Sequence, residues 1–211
     1  MLGGIQMLRT REQAEQTRNL VLKAASELFV EKGFTNISIT EIAEKIAATK
    51  GAVYWHFKNK DEILLAIISE DCGEAVKEAT AAIIDPESGE SLYSYYRKII
   101  SDNSSVERRE RLHRLINQSD GWPCELKQKA KQLIEKALED ERRLVISSIS
   151  GAQAEGKIRS DVDPEKVGLV ISTVISGLRL LRAKGMLASE FSRYDRLMFE
   201  AFRQTLQPLY L

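Results

Sequence analysis

The sequence predicts an all-α fold, on three observations. Apolar residues recur three and four apart along most of the 211 residues, no segment alternates apolar and polar positions with the β-branched enrichment of a strand, and only 4 prolines and 12 glycines interrupt the chain. With 43% hydrophobic residues the chain has enough apolar material for a sizeable core.

The elements follow in order. From Arg11 to Lys32 the apolar residues Val21, Ala25, Leu28 and Phe29 keep helical spacing, and Gly33 supplies the stop. Ser38, three residues before Glu41, is the capping-box pattern that opens a short second helix over 39–46, with Ile42, Ala43 and Ile46 on one stripe. Thr49 caps a third helix, on which Val53 and Phe57 stand four apart. Asn59 with Glu62 repeats the cap-plus-acid pattern before a longer fourth helix that runs to about Ile84 and ends at Asp85 and Pro86. Five more helices are expected at 88–101, 105–118, 123–156, 163–184 and 190–208, about nine in all, separated by "SDNSS", "SDGWP", "GKIRSDVDP" and "KGMLAS".

Composition narrows the function. The formal net charge is zero, yet residues 1–60 hold nine Lys/Arg against six Glu, so the front of the chain is mildly basic. Cys72 and Cys124 stand far apart, without the spacing of a zinc site or a disulfide framework, and no metal or cofactor is expected. No apolar run reaches the ~18 residues of a membrane span. The opening "MLGGIQML" lacks the regions of a signal peptide, so a cytoplasmic protein without membrane contact is the expectation. An all-α enzyme is disfavoured: no nucleophile with a base, paired carboxylates or cofactor motif is found.

The stretch "TKGAVYWHFKNK" at 49–60 carries the most information. Four consecutive rings, Tyr54, Trp55, His56 and Phe57, cannot all face one core from a helix. Phe57 joins the Val53 stripe, so Tyr54 and Trp55 project away from it. Two short helices joined by a tight connection, with a first helix packed across them, form the helix-turn-helix arrangement that places a recognition helix in the major groove. Thr49, Lys50 and the free amides at the start of the third helix favour phosphate, and Gly51 lets another backbone come close. Tyr54 and Trp55 offer a hydroxyl, an indole N–H and flat apolar surface, while Lys58 and Lys60 extend the positive rim. Tyr54 and Trp55 alone would read as interface cover, and Lys50 and Lys60 as solvated lysines. The motif context favours DNA.

Residues 11–70, through "AASELFVEKGF", "ITEIA" and "KGAVYWHFKNKDEIL" in that order, resemble the DNA-binding domain of TetR-family transcriptional regulators, and "RTREQAEQTR" with "TKGAVYWHFKNK" is most similar to the efflux-pump repressors of that family. The resemblance implies a homodimeric repressor that binds double-stranded DNA at a palindromic operator and releases it when a small apolar or cationic effector occupies the helical body. It divides the chain into a helix-turn-helix domain at 11–58 and an effector-binding and dimerisation domain at 59–211. By position it also implies DNA contacts from Thr49, Lys50, Gly51, Tyr54, Trp55, His56 and Lys60, with Ser38 and Thr40 as lesser contributors. One departure is Ala47, where the family usually has glycine in the turn between the second and third helices. Alternative readings are an activator, or a DNA-binding regulator or nucleoid-associated protein without an effector.

In the body, "VGLVISTVISGLRLL" is apolar on nearly every side, and Leu197, Met198, Phe199, Phe202 and Leu206 repeat the habit. Helices 163–184 and 190–208 are therefore the expected dimer interface across a two-fold axis. Tyr93, Tyr95, Tyr96, Leu112, His113, Trp122 and Cys124 are candidate lining for an effector pocket, each with core packing as the simpler account. Trp122, in the loop "DGWPC", is the strongest of them.

Overall fold

The computed structural model describes residues 2–83, 103–184, 200, 204 and 207–209. Seven α-helices occur among them: α1 (Leu2–Lys32), α2 (Ile39–Lys45), α3 (Lys50–His56), α4 (Lys60–Ile83), α5 (Asn103–Asn117), α6 (Cys124–Ala154) and α7 (Pro164–Ala183). The expected helix at 88–101, with Tyr93, Tyr95 and Tyr96, and most of the one at 190–208 lie outside the described residues. Helix α1 starts at Leu2 rather than Arg11. Residues 5–10 are mostly good helix formers with no proline, so propensity extends the helix beyond its apolar stripe. Among the described residues no helix is long and apolar enough to cross a membrane.

The chain divides into two compact units, one of residues 1–70 with 114–133 and one of residues 71–113 with 134–211. The division falls within α4 rather than at its start, and the first unit takes in a later segment that sequence alone assigns to the body.

In the first unit α1 packs on α2 and α3, and α2 on α3. Its core is built from Val21, Ala25 and Phe29 of α1, Ile42 of α2, Val53 of α3 and Ile63, Leu64 and Ile68 of α4, all buried, joined by Leu115, Trp122 and Leu126 from the later segment. These are the positions that helical spacing picks out, which is why the short α2 and α3 hold their shape. Alone, seven-residue helices are unstable in water.

The second unit has its own core, formed by Ala79, Ala82 and Ile83 of α4, Val145 and Ile149 of α6, Ile158, and Ile171 and Ile175 of α7. Charged side chains inside it are paired: Arg111 with Asp71 at 3.0 Å, Arg108 with Glu78, and Arg179 with Glu141. Pairing offsets a desolvation cost that neither partner alone could bear. Cys72 is buried beside Asp71, and burial pushes its thiol up to about 11, so it stays protonated. Helix α6 ends in a Schellman motif, in which Lys157 N donates to Ala152 O at 2.8 Å and Gly156, at φ 71°, donates to Gln153 O at 3.0 Å. Asp163 then caps α7 by accepting from Glu165 N at 3.0 Å.

Candidate nucleic-acid interface

Local hydrogen bonds set α2 and α3 in place. The Ser38 hydroxyl accepts from Glu41 N at 3.3 Å while a Glu41 carboxylate oxygen accepts from Ser38 N at 2.8 Å, a complete capping box. The bond from Ser38 N, followed by one that the Ser38 hydroxyl donates to the same carboxylate at 2.9 Å, holds the Glu41 carboxyl below its ordinary range. Thr49 caps α3 by accepting from Ala52 N at 3.1 Å. Between the helices the chain turns through a second Schellman motif: Ala48 N donates to Ala43 O at 2.9 Å and Ala47 N to Glu44 O at 3.1 Å. Ala47 takes the left-handed position of that motif, with φ 52°. The turn therefore keeps a glycine-type geometry on an alanine.

The four consecutive rings divide as their spacing predicts. Val53 and Phe57 are buried, whereas Tyr54 is 53% and Trp55 73% exposed. Trp55 meets His56 edge-on at 4.5 Å, and His56 lies 6.3 Å from Phe57. Burial, followed by the Arg18 charge, lowers the His56 pKa, which keeps the imidazole neutral at pH 7. Arg18 sits 5.6 Å from the centre of the Phe57 ring and pairs with Glu70 at 2.5 Å, which ties α1 to α3 and α4. Lys50, Gly51 and Lys58 are exposed, and Thr40 is half-buried. A methyl group at Gly51 would meet only Thr49 Oγ1, at 3.7 Å, so nothing within the chain requires glycine there.

Lys60 is placed differently from the expectation. Its Nζ donates to Phe34 O at 2.6 Å and Ile37 O at 2.8 Å, with Thr35 O at 3.4 Å, and lies 4.4 Å from the centre of the Phe34 ring. Three carbonyl acceptors account for the ammonium's three donors. Lys60 thus holds the α1–α2 connection and presents no free donor outward.

The described effector candidates fall in different units. Trp122 is buried, with its ring centre 5.9 Å from that of Phe34, inside the first unit. Leu112 and His113 are half-buried on α5 and belong to the second unit. Trp122 is therefore core, as its simpler account had it. Cys124 is exposed. Burial lowers the His113 pKa, with Lys184 adding to it. Sequence reasoning missed a groove of about 570 Å³ between α6 and α7, flanked by Leu138, Leu169 and Leu180. Among the described residues no group of His, Cys, Asp or Glu is arranged to hold a metal.

The sequence profile of bacterial regulatory proteins, tetR family, matches residues 21–67, which span α1 from Val21 through α2 and α3 into α4. The HTH-type transcriptional regulator TtgR of Pseudomonas putida is 25% identical over 176 residues, 81% of each chain. Residues 21–67 thus carry the DNA-binding domain pattern of the tetR family. The fold of the chain is that of solved relatives. The structure of a SmeT–triclosan complex superposes with a TM-score of 0.69, covering 90% of this chain and 91% of that one at 22% identity. NalD, the secondary repressor of the MexAB-OprM multidrug efflux pump in Pseudomonas aeruginosa, gives a TM-score of 0.68, covering 94% of this chain and 98% of that one at 21% identity. The domain match and the likeness to TtgR over 81% of each chain support a DNA-binding transcriptional regulator rather than an enzyme.

Proposed function

We propose that the chain is a homodimeric repressor whose α3 helices enter successive major grooves of an inverted-repeat operator, with an efflux pump among the genes it controls. The observation that carries this reading is the outward face of α3, where Tyr54 and Trp55 stand exposed beside Lys50 and Gly51 while Val53 and Phe57 anchor the opposite face. Lys50 and the first amides of α3 meet phosphate, Tyr54 and Trp55 meet the sugar-phosphate edge, and Thr49, His56, Ser38 and Thr40 lie within the same reach. Lys60 leaves the contact set, because its donors are committed.

The dimer reading is supported by α7. Leu169 at 54% and Val170 at 60% exposure, with Val174 and Leu180, form an apolar row, and Leu138 of α6 extends it. Exposed apolar surface of that kind is costly in water and suits an isologous two-fold contact. A mostly apolar, optionally cationic effector is supported by the resemblance to efflux repressors and by the apolar triclosan named in the SmeT structure.

The test is selection of bound duplexes from a random library, followed by sedimentation of the complex and release assays with dyes, biocides and planar antibiotics. An inverted repeat with half-site centres about one helical turn apart and two chains bound is expected. A monomer on one asymmetric half-site would overturn the architecture.

A further inference from the structure

The segment after α5 makes contacts that the regulator reading leaves unexplained. The turn Ser119–Gly121 and Trp122 lie against the α1–α2 connection, all within the first unit. Phe34 is the hub. Its ring meets Phe29 at 5.2 Å and Trp122 at 5.9 Å between centres, both in edge-type packing, and the Lys60 ammonium at 4.4 Å. Gln118 Nε2 donates to Val30 O at 3.3 Å in the last turn of α1. A methyl group at Gly121 would stand 3.0 Å from Thr35 Cγ2, so the glycine already lies close against the Thr35 side chain.

What this cluster grips is the start of the DNA-reading elements. Phe34 opens the 3₁₀ turn Phe34–Asn36, Ile37 follows with its carbonyl held by Lys60, and Ser38 is the N-cap of α2. A displacement of Trp122 would move Phe34, and with it the cap from which α2 and α3 are set. Helices α5 and α6, which the segment joins, each continue from one unit into the other. The Trp122 indole Nε1 is buried without a protein hydrogen-bond partner, so apolar ring contact is what holds it.

We infer that Trp122 is a positioning residue for operator binding: it touches no DNA, and through Phe34 it fixes the pose in which α2 and α3 meet the duplex. The inference rests on the reading that α3 binds DNA. Sequence-specific binding depends on that pose, whereas random-sequence binding depends chiefly on charge, which Trp122 does not carry.

The experiment measures the affinity of the full chain for a duplex selected by the wild type and for random-sequence duplex, with folding checked by circular dichroism at the assay temperature. Trp122→Ala is expected to lose about 3–30-fold in affinity for the selected duplex. Its random-duplex affinity and the salt slope should stay unchanged, because no phosphate pairing is removed. Trp122→Phe, which keeps a ring edge on Phe34, should recover most of the loss. Gln118→Ala, at an exposed site that cannot empty the core, should show a smaller loss in the same direction. Equal loss on both duplexes would be a folding effect and would overturn the inference, as would a folded Trp122→Ala with full affinity. If Trp122→Ala does not fold, Gln118→Ala decides, and unchanged affinity overturns the inference. A wild type that binds no duplex would overturn the DNA reading of α3 instead.

Discussion

Lys60 closes the connection between α1 and α2 by donating to Phe34 O at 2.6 Å while lying 4.4 Å from the centre of that residue's own ring. A lysine that sequence alone assigns to phosphate is thereby a structural bracket. Lys60→Met, which keeps the aliphatic stem, should destabilise the chain by about 1.5–3 kcal/mol, the usual worth of a hydrogen bond from a charged group. It should leave the slope of log affinity against log salt unaltered. Lys50→Ala should do the reverse, sparing stability and reducing the slope's magnitude by about one for each lysine–phosphate pairing removed, or about two per dimer. Urea denaturation and a salt titration of operator binding measure the two effects.

The Schellman motif at the end of α6 uses Gly156, and the one at the end of α2 uses Ala47 in the same position, with φ 71° and 52°. An L-residue with a Cβ is strained there by about 1–2 kcal/mol, whereas glycine costs only about 0.5–1 kcal/mol in unfolded-state entropy. Ala47 is exposed, so its methyl contributes little packing. Ala47→Gly should be neutral to stabilising by about 1 kcal/mol. A lower melting temperature would show that the turn relaxes in solution to a right-handed form.

How far these features can be read in sequence depends on the distance between partners. Ser38 with Glu41 and Thr49 with Ala52 lie three residues apart, so a local pattern announces both caps and the helices they start. The burial of Val53 and Phe57, and hence the exposure of Tyr54 and Trp55, follows from helical spacing in the same way. Lys60 and Gln118 find their acceptors 26 and 88 residues away, and neither residue carries a local sign of that. Trp122 likewise resembles a loop residue until the chain returns it to Phe34. The division into compact units differs from the expected limit for a related reason: periodicity marks where α4 starts, after Asn59, and is blind to which helix segment packs with which core.

The two histidines set the stability on the mildly acid side. Burial holds both His56 and His113 below their ordinary value of 6.5, with Arg18 and Lys184 in support and Glu15 opposing at His56. Above pH 6.5 both states of the chain are neutral at these sites and stability is full. As the pH falls below 6.5 the unfolded chain takes up protons that the folded chain resists, so stability declines until the folded-state values are passed and then levels. The carboxylates Glu41, Glu125 and Glu139 are also held low, but they act only below their ordinary 4.5. A urea midpoint that drops between pH 6.5 and 5 is expected, and His56→Gln with His113→Gln should flatten it. A drop that persists in the double variant would assign it to other groups.

Helices α6 and α7 meet at Gly168. A methyl group there would stand 2.5 Å from Ile146 Cγ1, closer than carbon atoms can approach. Gly168→Ala should therefore force the helices apart and cost about 1–3 kcal/mol, despite alanine's better helix propensity. Combining it with Ile146→Ala removes the obstructing atoms, so the two substitutions should be strongly non-additive in a double-mutant cycle. Additive losses would mean that the close approach is not what selects glycine.

Gly51 separates folding from binding most cleanly. It lies in the first turn of α3, exposed, and a methyl group would meet only Thr49 Oγ1 at the ordinary distance of 3.7 Å. Folding alone would favour alanine, which is better than glycine inside a helix by up to about 1 kcal/mol. Gly51→Ala should consequently raise the melting temperature or leave it unchanged. Operator affinity should fall, because the added methyl stands where a sugar-phosphate backbone must come close to the α3 amides. The loss should be a clash rather than a missing charge, so the salt slope should stay near the wild-type value. Thermal melting and a salt-dependent binding titration on the same preparation give both signs. If Gly51→Ala binds its operator as tightly as the wild type, the start of α3 does not approach the duplex closely, and the docking pose must rest instead on Tyr54 and Trp55.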